Sequence, residues 1–152
     1  MGNDSQQPSD DYDQRLILAA QEGRISNVQK WLRRGADINA TDLDLWTALH
    51  MACAHSHFNI VQFLIDHGAE IDAKNDYGET PLYVLTESVA DPDLKIVKLL
   101  VDNGADSNDW DAGTGCTPFF SACAHGHFEM GKYLTDHGDA DVNARDKEGR
   151  TL

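Results

Sequence analysis

Basic residues are scarce in this chain of 152 residues, with 12 Lys and Arg against 26 Asp and Glu and a formal net charge of −14. Such a surface repels phosphate polymers and anionic lipid, which excludes nucleic acid as a partner. No apolar run approaches the roughly 18 residues of a membrane span, so membrane insertion is excluded as well. Only 3 cysteines occur, an odd number without the spacing of a disulfide framework. They point to free thiols in a reducing, cytoplasmic or nuclear compartment. The opening "MGNDSQQPSDDYD" has neither the basic start nor the apolar stretch of a secretory signal, and Gln6 stands where a myristoylation motif needs Ser or Thr. With Asp4, Asp10, Asp11 and Asp13 and little to bury, residues 1–14 are expected to form a disordered acidic tail.

Signatures of chemistry are equally thin. "DAGTGCTP" brings two glycines together but has no P-loop lysine, and Pro118 replaces the third glycine of a dinucleotide turn. Neither a G-x-S-x-G elbow nor an H-E-x-x-H pair occurs. Cys116 has Asp111 and His125 near it in sequence, but nothing aims a base at it in a pocket. No catalytic residue and no cofactor are expected.

What is present is a period. "RRGADINA" (33–40), "DHGAEIDA" (66–73), "DNGADSND" (102–109) and "DHGDADVNA" (136–144) repeat one pattern, with glycines at 35, 68, 104 and 138 and threonines at 47, 80, 117 and 151. Between the markers each unit holds two short helix signals, such as Leu49, Ala52 and Cys53 followed by Ile60, Val61, Leu64 and Ile65, whose spacing makes one buried stripe. Thr47, Thr80 and Thr117 suit N-caps, and Pro81 and Pro118 suit the first helical position. The four glycines suit the left-handed residue that ends each second helix. The Asp/Asn-rich stretches between them should turn back like hairpins. Trp31 falls in a second-helix stripe and belongs to the core.

"TALHMACAHSHFNIVQFLIDHGAEIDA", "DYGETPLY" and "TPFFSACAHGHFEMGKYLTDHG" resemble ankyrin repeats. The resemblance implies an all-α ankyrin-repeat solenoid, helix-turn-helix units joined by hairpin-like loops, over residues 15–152: an N-terminal repeat at 15–40, full repeats at 41–73, 74–109 and 110–144, and the start of another at 145–152. Because the last segment stops inside a repeat, the chain reads as part of a longer protein. There are departures from the pattern. Leu45 replaces the turn glycine, so that tip should be distorted. Tyr83 and Phe120 replace the histidine that His50 supplies. Repeat three has three extra residues in "TESVADPDLK", so its interhelical linker should bulge, and single residues are inserted in "DAGTGCT" and at Asp139.

Cys-Ala-His-x-His occurs twice, at 53–57 and 123–127, and offers zinc-loving residue types. The repeat columns favour another use. Ala20 and Thr86 share the column of Cys53 and Cys123, which therefore asks for a small side chain, and a free cysteine behaves as a small hydrophobe. The family resemblance makes His57 and His127 loop-bracing residues, so no metal is expected. His55 and His125 lie on the exposed side, where contact with a partner and simple solvation both remain open.

What the resemblance implies about function is a non-catalytic module that binds a protein partner through a concave groove and its hairpin tips. Carried onto this chain, the contact positions are Leu43, Asp44 and Trp46; Asp76, Tyr77 and Glu79; Trp110 and Thr114; and the helix ends at His55, Glu87 and His125. Trp46, Tyr77 and Trp110 are the residue types that dominate binding hot spots. For Trp46, folding inward beside Leu45 is an equal expectation. The acids along the same edge suit a partner with a basic or mixed basic and apolar surface. The chain is expected to be monomeric. Alternatives are a regulatory, inhibitory or targeting subunit of an enzyme, or the recognition domain of a larger enzyme or channel. Asn39 and Asn143 resemble the asparagines that hydroxylases modify in some ankyrin proteins.

Overall fold

The computed structural model describes residues 8–88 and 90–151. The described residues form eight α-helices and no strand, with one isolated antiparallel bridge between Thr41 and Thr47. Two compact units divide the chain, Met1–Ala69 and Glu70–Leu152. The first holds α1 (Pro8–Gln21), α2 (Ile25–Arg33), α3 (Ala48–Ala54) and α4 (Phe58–Asp66). The second holds α5 (Pro81–Val84), which tightens into a 3₁₀ turn at Leu85–Glu87, then α6 (Leu94–Asp102), α7 (Pro118–Ala124) and α8 (Phe128–His137).

Helices this short do not persist alone, so packing of one apolar stripe supplies their stability. In the first unit α1 packs on α2 and α3, and α4 packs on α2 and α3. Leu16, Val28, Leu49, Ile60, Val61 and Leu64 are buried there, each contributing about 1.5–3 kcal/mol. In the second unit α7 packs on α5 and α8, and α8 on α6, around Leu82, Ile96, Leu100, Met130 and Leu134.

The start signals act as the residues dictate. Thr47, Thr80 and Thr117 accept hydrogen bonds from the backbone N–H groups of His50, Tyr83 and Phe120, and Pro81 and Pro118 open their helices. Buried His50 closes a capping box, its Nδ1 lying 3.2 Å from the Thr47 nitrogen and 2.9 Å from Oγ1. Gly35, Gly68 and Gly104 take left-handed conformations after their helices. The first and second helices of each pair are joined by residues 55–57 and 125–127, whereas six residues, 88–93, join the pair in repeat three. The insertion therefore enters the linker, as its position in the sequence requires.

Three expectations are corrected. The stretch 8–14 is helical rather than disordered, because α1 begins at Pro8; residues 1–7 lie outside the described residues. Asp10 and Asp11 complement the positive helix start, Asp11 pairs with Arg15 at 2.8 Å, Asp13 accepts the Asp37 amide at 2.7 Å, and Tyr12 stacks on buried Trp31 at 5.7 Å. Arg15, Lys30 and Arg34 also ring the indole of Trp31. The second correction concerns Gly138, which is not left-handed. The inserted Asp139 takes that conformation with φ 52°, and α8 runs ten residues where α4 and α6 run nine. The third concerns Leu45, which does not distort its tip. It enters the left-handed region at φ 60° and keeps the turn.

Candidate protein-interaction surface

Each tip hangs on an Asp or Asn that closes the turn from within. In the first unit Asp42 Oδ1 accepts the amides of Asp44 (3.0 Å) and Trp46 (2.9 Å), while the Asp42 amide donates to the Trp46 carbonyl. In the second unit Asn75 does the same for Tyr77 (3.0 Å) and Glu79 (2.9 Å), and Asp146 for Glu148 and Arg150. Asp111 spans the longer tip. Its carboxylate accepts the amides of Gly113, Thr114 and Cys116 and the Thr114 hydroxyl, at 2.6–2.9 Å. Burial works against the Asp111 charge, but these four bonds outweigh it and hold its carboxyl below the usual carboxylate range. This column was not singled out from the sequence, although its signal is there: an Asp or Asn five or six residues before each capping threonine.

The side chains that these turns present are the expected contact residues. In the first unit Leu43 is 97% exposed, Asp44 is exposed, and Trp46 is half-buried with its ring tilted against His50 at 5.7 Å. His55 caps α3 at its exposed end, Nδ1 facing the Met51 carbonyl at 3.0 Å. In the second unit Tyr77 is 60% and Trp110 55% exposed, with exposed Asp76 and Thr114 on the same tips. The tips in this unit are tied together, since the Ala112 amide donates to the Tyr77 carbonyl at 2.7 Å and the Lys147 amide to the Thr114 carbonyl at 2.9 Å. Glu79 is half-buried, which pushes its carboxyl up, against a 2.7 Å hydrogen bond from Asn75 that lowers it. Glu87 ends the 3₁₀ turn, exposed, and His125 caps α7 with Nδ1 2.9 Å from the Ser121 carbonyl.

Lys74 was not anticipated at this surface. Its Nζ pairs with Asp109 at 2.5 Å and lies 5.7 Å from the centre of the Trp110 ring, which fixes one side of the indole. Trp110 also lines a cavity of about 640 Å³ with Asn108, Gly115, Thr117, Arg145 and Lys147.

The Cys-Ala-His-x-His copies are built into the packing. Cys53 is fully buried, which pushes its thiol up, and burial raises the thiols of Cys116 and Cys123 as well. His57 Nε2 meets the Gln21 carbonyl at 2.9 Å, and His127 Nε2 meets the Ser88 carbonyl at 3.1 Å. Both therefore brace the loop of the preceding helix pair. Among the described residues no three His, Cys, Asp or Glu side chains gather around a point that could hold a metal. No described helix is long and apolar enough to cross a membrane.

Comparison with known proteins agrees with this architecture. The family described as "Ankyrin repeats (3 copies)" matches residues 16–111 and 85–152. The putative ankyrin repeat protein YahD of Escherichia coli is 33% identical over 89% of this chain and 65% of its own length. Serine/threonine-protein kinase 12 of Arabidopsis thaliana is 33% identical over 60% of the chain and 19% of its own. The probable 26S proteasome regulatory subunit p28 of Saccharomyces cerevisiae is 30% identical over 74% of the chain and 48% of its own. The chain thus spans less than two thirds of each of these relatives.

Proposed function

The chain belongs to the ankyrin-repeat family, whose repeats are protein-interaction modules, and from that premise we propose that it binds a protein partner, without chemistry of its own, through its hairpin tips and exposed first-helix ends. One observation carries the reading: Tyr77 stands more than half exposed on a turn whose backbone Asn75 closes from within, and Trp110, also more than half exposed, immediately precedes the Asp111 brace. A rigid aromatic on a prebuilt turn loses little conformational entropy when it is covered, which is what makes such a side chain an anchor. Asp76, Glu79 and Glu87 flank these anchors and suit a partner with basic or mixed basic and apolar character. In the first unit Leu43, Asp44, Trp46 and His55 form a second set, with Trp46 divided between contact and packing on His50.

Crosslinking mass spectrometry in native lysate tests the reading. A partner crosslinked to the wild-type chain should be lost from Y77A/W110A and kept by L18A, which changes an exposed leucine outside these positions. Equal capture by all three proteins, with helical content unchanged, sinks the proposal. Association should also slow steeply with added salt, since acids near the anchors steer a basic partner.

A second reading, that the chain regulates or targets an enzyme or is the recognition part of a larger one, draws on the names of two relatives, a proteasome regulatory subunit and a protein kinase. It requires that the crosslinked partner be an enzyme whose activity changes when this chain is added, or that a catalytic domain share its reading frame.

A further inference from the structure

The inserted linker of repeat three lines a hollow that includes no tip residue. Residues 88–93 lead from the 3₁₀ turn into α6, whose cap Asp93 accepts the Lys95 amide at 2.9 Å. His127, 5% exposed, holds the linker at two points, with Nε2 3.1 Å from the Ser88 carbonyl and Nδ1 3.2 Å from Asp91 Oδ1. Both partners are acceptors, so a neutral ring donates to one at a time and a doubly protonated ring to both. His57, in the same column, makes one such contact, to Gln21.

The residue after each of these histidines opens the second helix. Phe58 is half-buried there, but Phe128 is 72% exposed beside a cavity of about 390 Å³. Pro92 and Leu94 from the linker side and Phe128 and Met130 from α8 make its apolar walls, and Asp91 and Glu129 stand at its rim. No lysine or arginine lines it, and the Asp91 side chain is 89% exposed. Phe128 thus sets a large exposed aromatic beside a preformed hollow with apolar walls, an arrangement that marks a contact surface.

We propose that this hollow is a second protein-docking site, distinct from the tips, which takes a partner segment presenting one aliphatic side chain between two basic residues. The aliphatic group fills the space between Pro92, Leu94 and Phe128, and the two cations meet Asp91 and Glu129. Charge complementarity selects this occupant. A second copy of the chain would bring a net charge of −14 toward two carboxylates, and an acidic or phosphorylated segment would meet the same repulsion.

The test uses the full chain and three short peptides, Gly-Arg-Leu-Arg-Gly, Gly-Glu-Leu-Glu-Gly and Gly-Arg-Ser-Arg-Gly, followed by amide chemical shifts. The Arg-Leu-Arg peptide should shift Leu94, Gly126, Phe128 and Glu129 while Tyr77 and Trp110 stay unmoved. Phe128→Ala should weaken it at least tenfold, and so should Glu129→Lys, both with helical content retained because these side chains are exposed and neither holds the linker. The serine and glutamate peptides should bind at least tenfold more weakly. Y77A/W110A should leave the shifts intact, which separates this site from the tip reading. No shifts at millimolar peptide, equal shifts with the glutamate peptide, or shifts that survive Phe128→Ala would overturn the proposal. So would dimerisation through this face in sedimentation equilibrium that Phe128→Ala abolishes.

Discussion

The tips at Asp42–Thr47 and Asn75–Thr80 run the same hydrogen bonds with different residues at the turn. Leu45 donates to the Asp42 carbonyl at 3.2 Å and Gly78 to the Asn75 carbonyl at 2.9 Å, both from left-handed backbone, φ 60° and 76°. The difference teaches that the Asx brace and the flanking cap set the turn, while the residue at its tip only decides how much strain the turn holds. For leucine the left-handed region costs roughly 1–2 kcal/mol. Gly78 has a reason to remain glycine beyond that cost, since a Cβ there would lie 2.7 Å from the Ala112 nitrogen.

Leucine truncation in each core gives the largest expected effect. Leu64→Ala and Leu100→Ala should each cost about 2–5 kcal/mol in urea unfolding, as fully buried leucines leave cavities that relax only in part. A loss under 1 kcal/mol at either position would mean that its unit is loosely packed.

Removing a brace comes next. Asp111→Ala should cost about 1–3 kcal/mol, and Asp42→Ala less, because two amides lose an acceptor there against three amides and a hydroxyl at Asp111. Since Asp111 is held below its unfolded value, its contribution is complete above the ordinary aspartate range and disappears as pH falls through the lower folded value. The stability gap between wild type and Asp111→Asn should therefore stay constant from neutral pH down to about 5 and close below about 4. A gap that widens on acidification contradicts the brace.

The turn comparison itself is sharpened by exchange. Leu45→Gly should raise stability by about 0.5–1 kcal/mol, the relief of strain less the entropy of glycine, and Gly78→Ala should lower it by more than 1 kcal/mol. If Leu45→Gly destabilises, the leucine side chain is packing and not merely strained. The smallest effect is expected at Ser107, whose buried hydroxyl lacks a hydrogen-bond partner among the described residues. Ser107→Ala should raise the melting midpoint slightly, by a gain of up to about 1 kcal/mol.

Much of the fold was legible because it repeats. Threonine caps, proline starts and the lengthened linker of repeat three follow from spacing, since each unit solves the same local problem with the same residue types, while the bracing role of His57 and His127 came from the family resemblance. Leu45 shows where local reasoning fell short: the rule that leucine avoids positive φ is sound, but Asp42 and the Thr41–Thr47 bridge outweigh it. Asp139 shows the same at a helix end, where one inserted residue moved the left-handed position off glycine. Tyr77 and Trp110 could be named as candidate contacts from the resemblance, whereas Lys74 beside Trp110 and the hollow at Phe128 could not, because they join residues some 35 positions apart.

Period, cap chemistry and the apolar stripe are properties of neighbouring residues, so the linear order of amino acids was enough to determine an all-α ankyrin-repeat chain with polar tips. Exposure is different. Whether residues 8–14 fold onto Trp31 and Asp37, and whether Phe128 stays uncovered beside Pro92, depend on which distant surfaces meet. Only the packed chain decided those, because the free energy of covering a side chain belongs to the pair of surfaces and not to either residue alone.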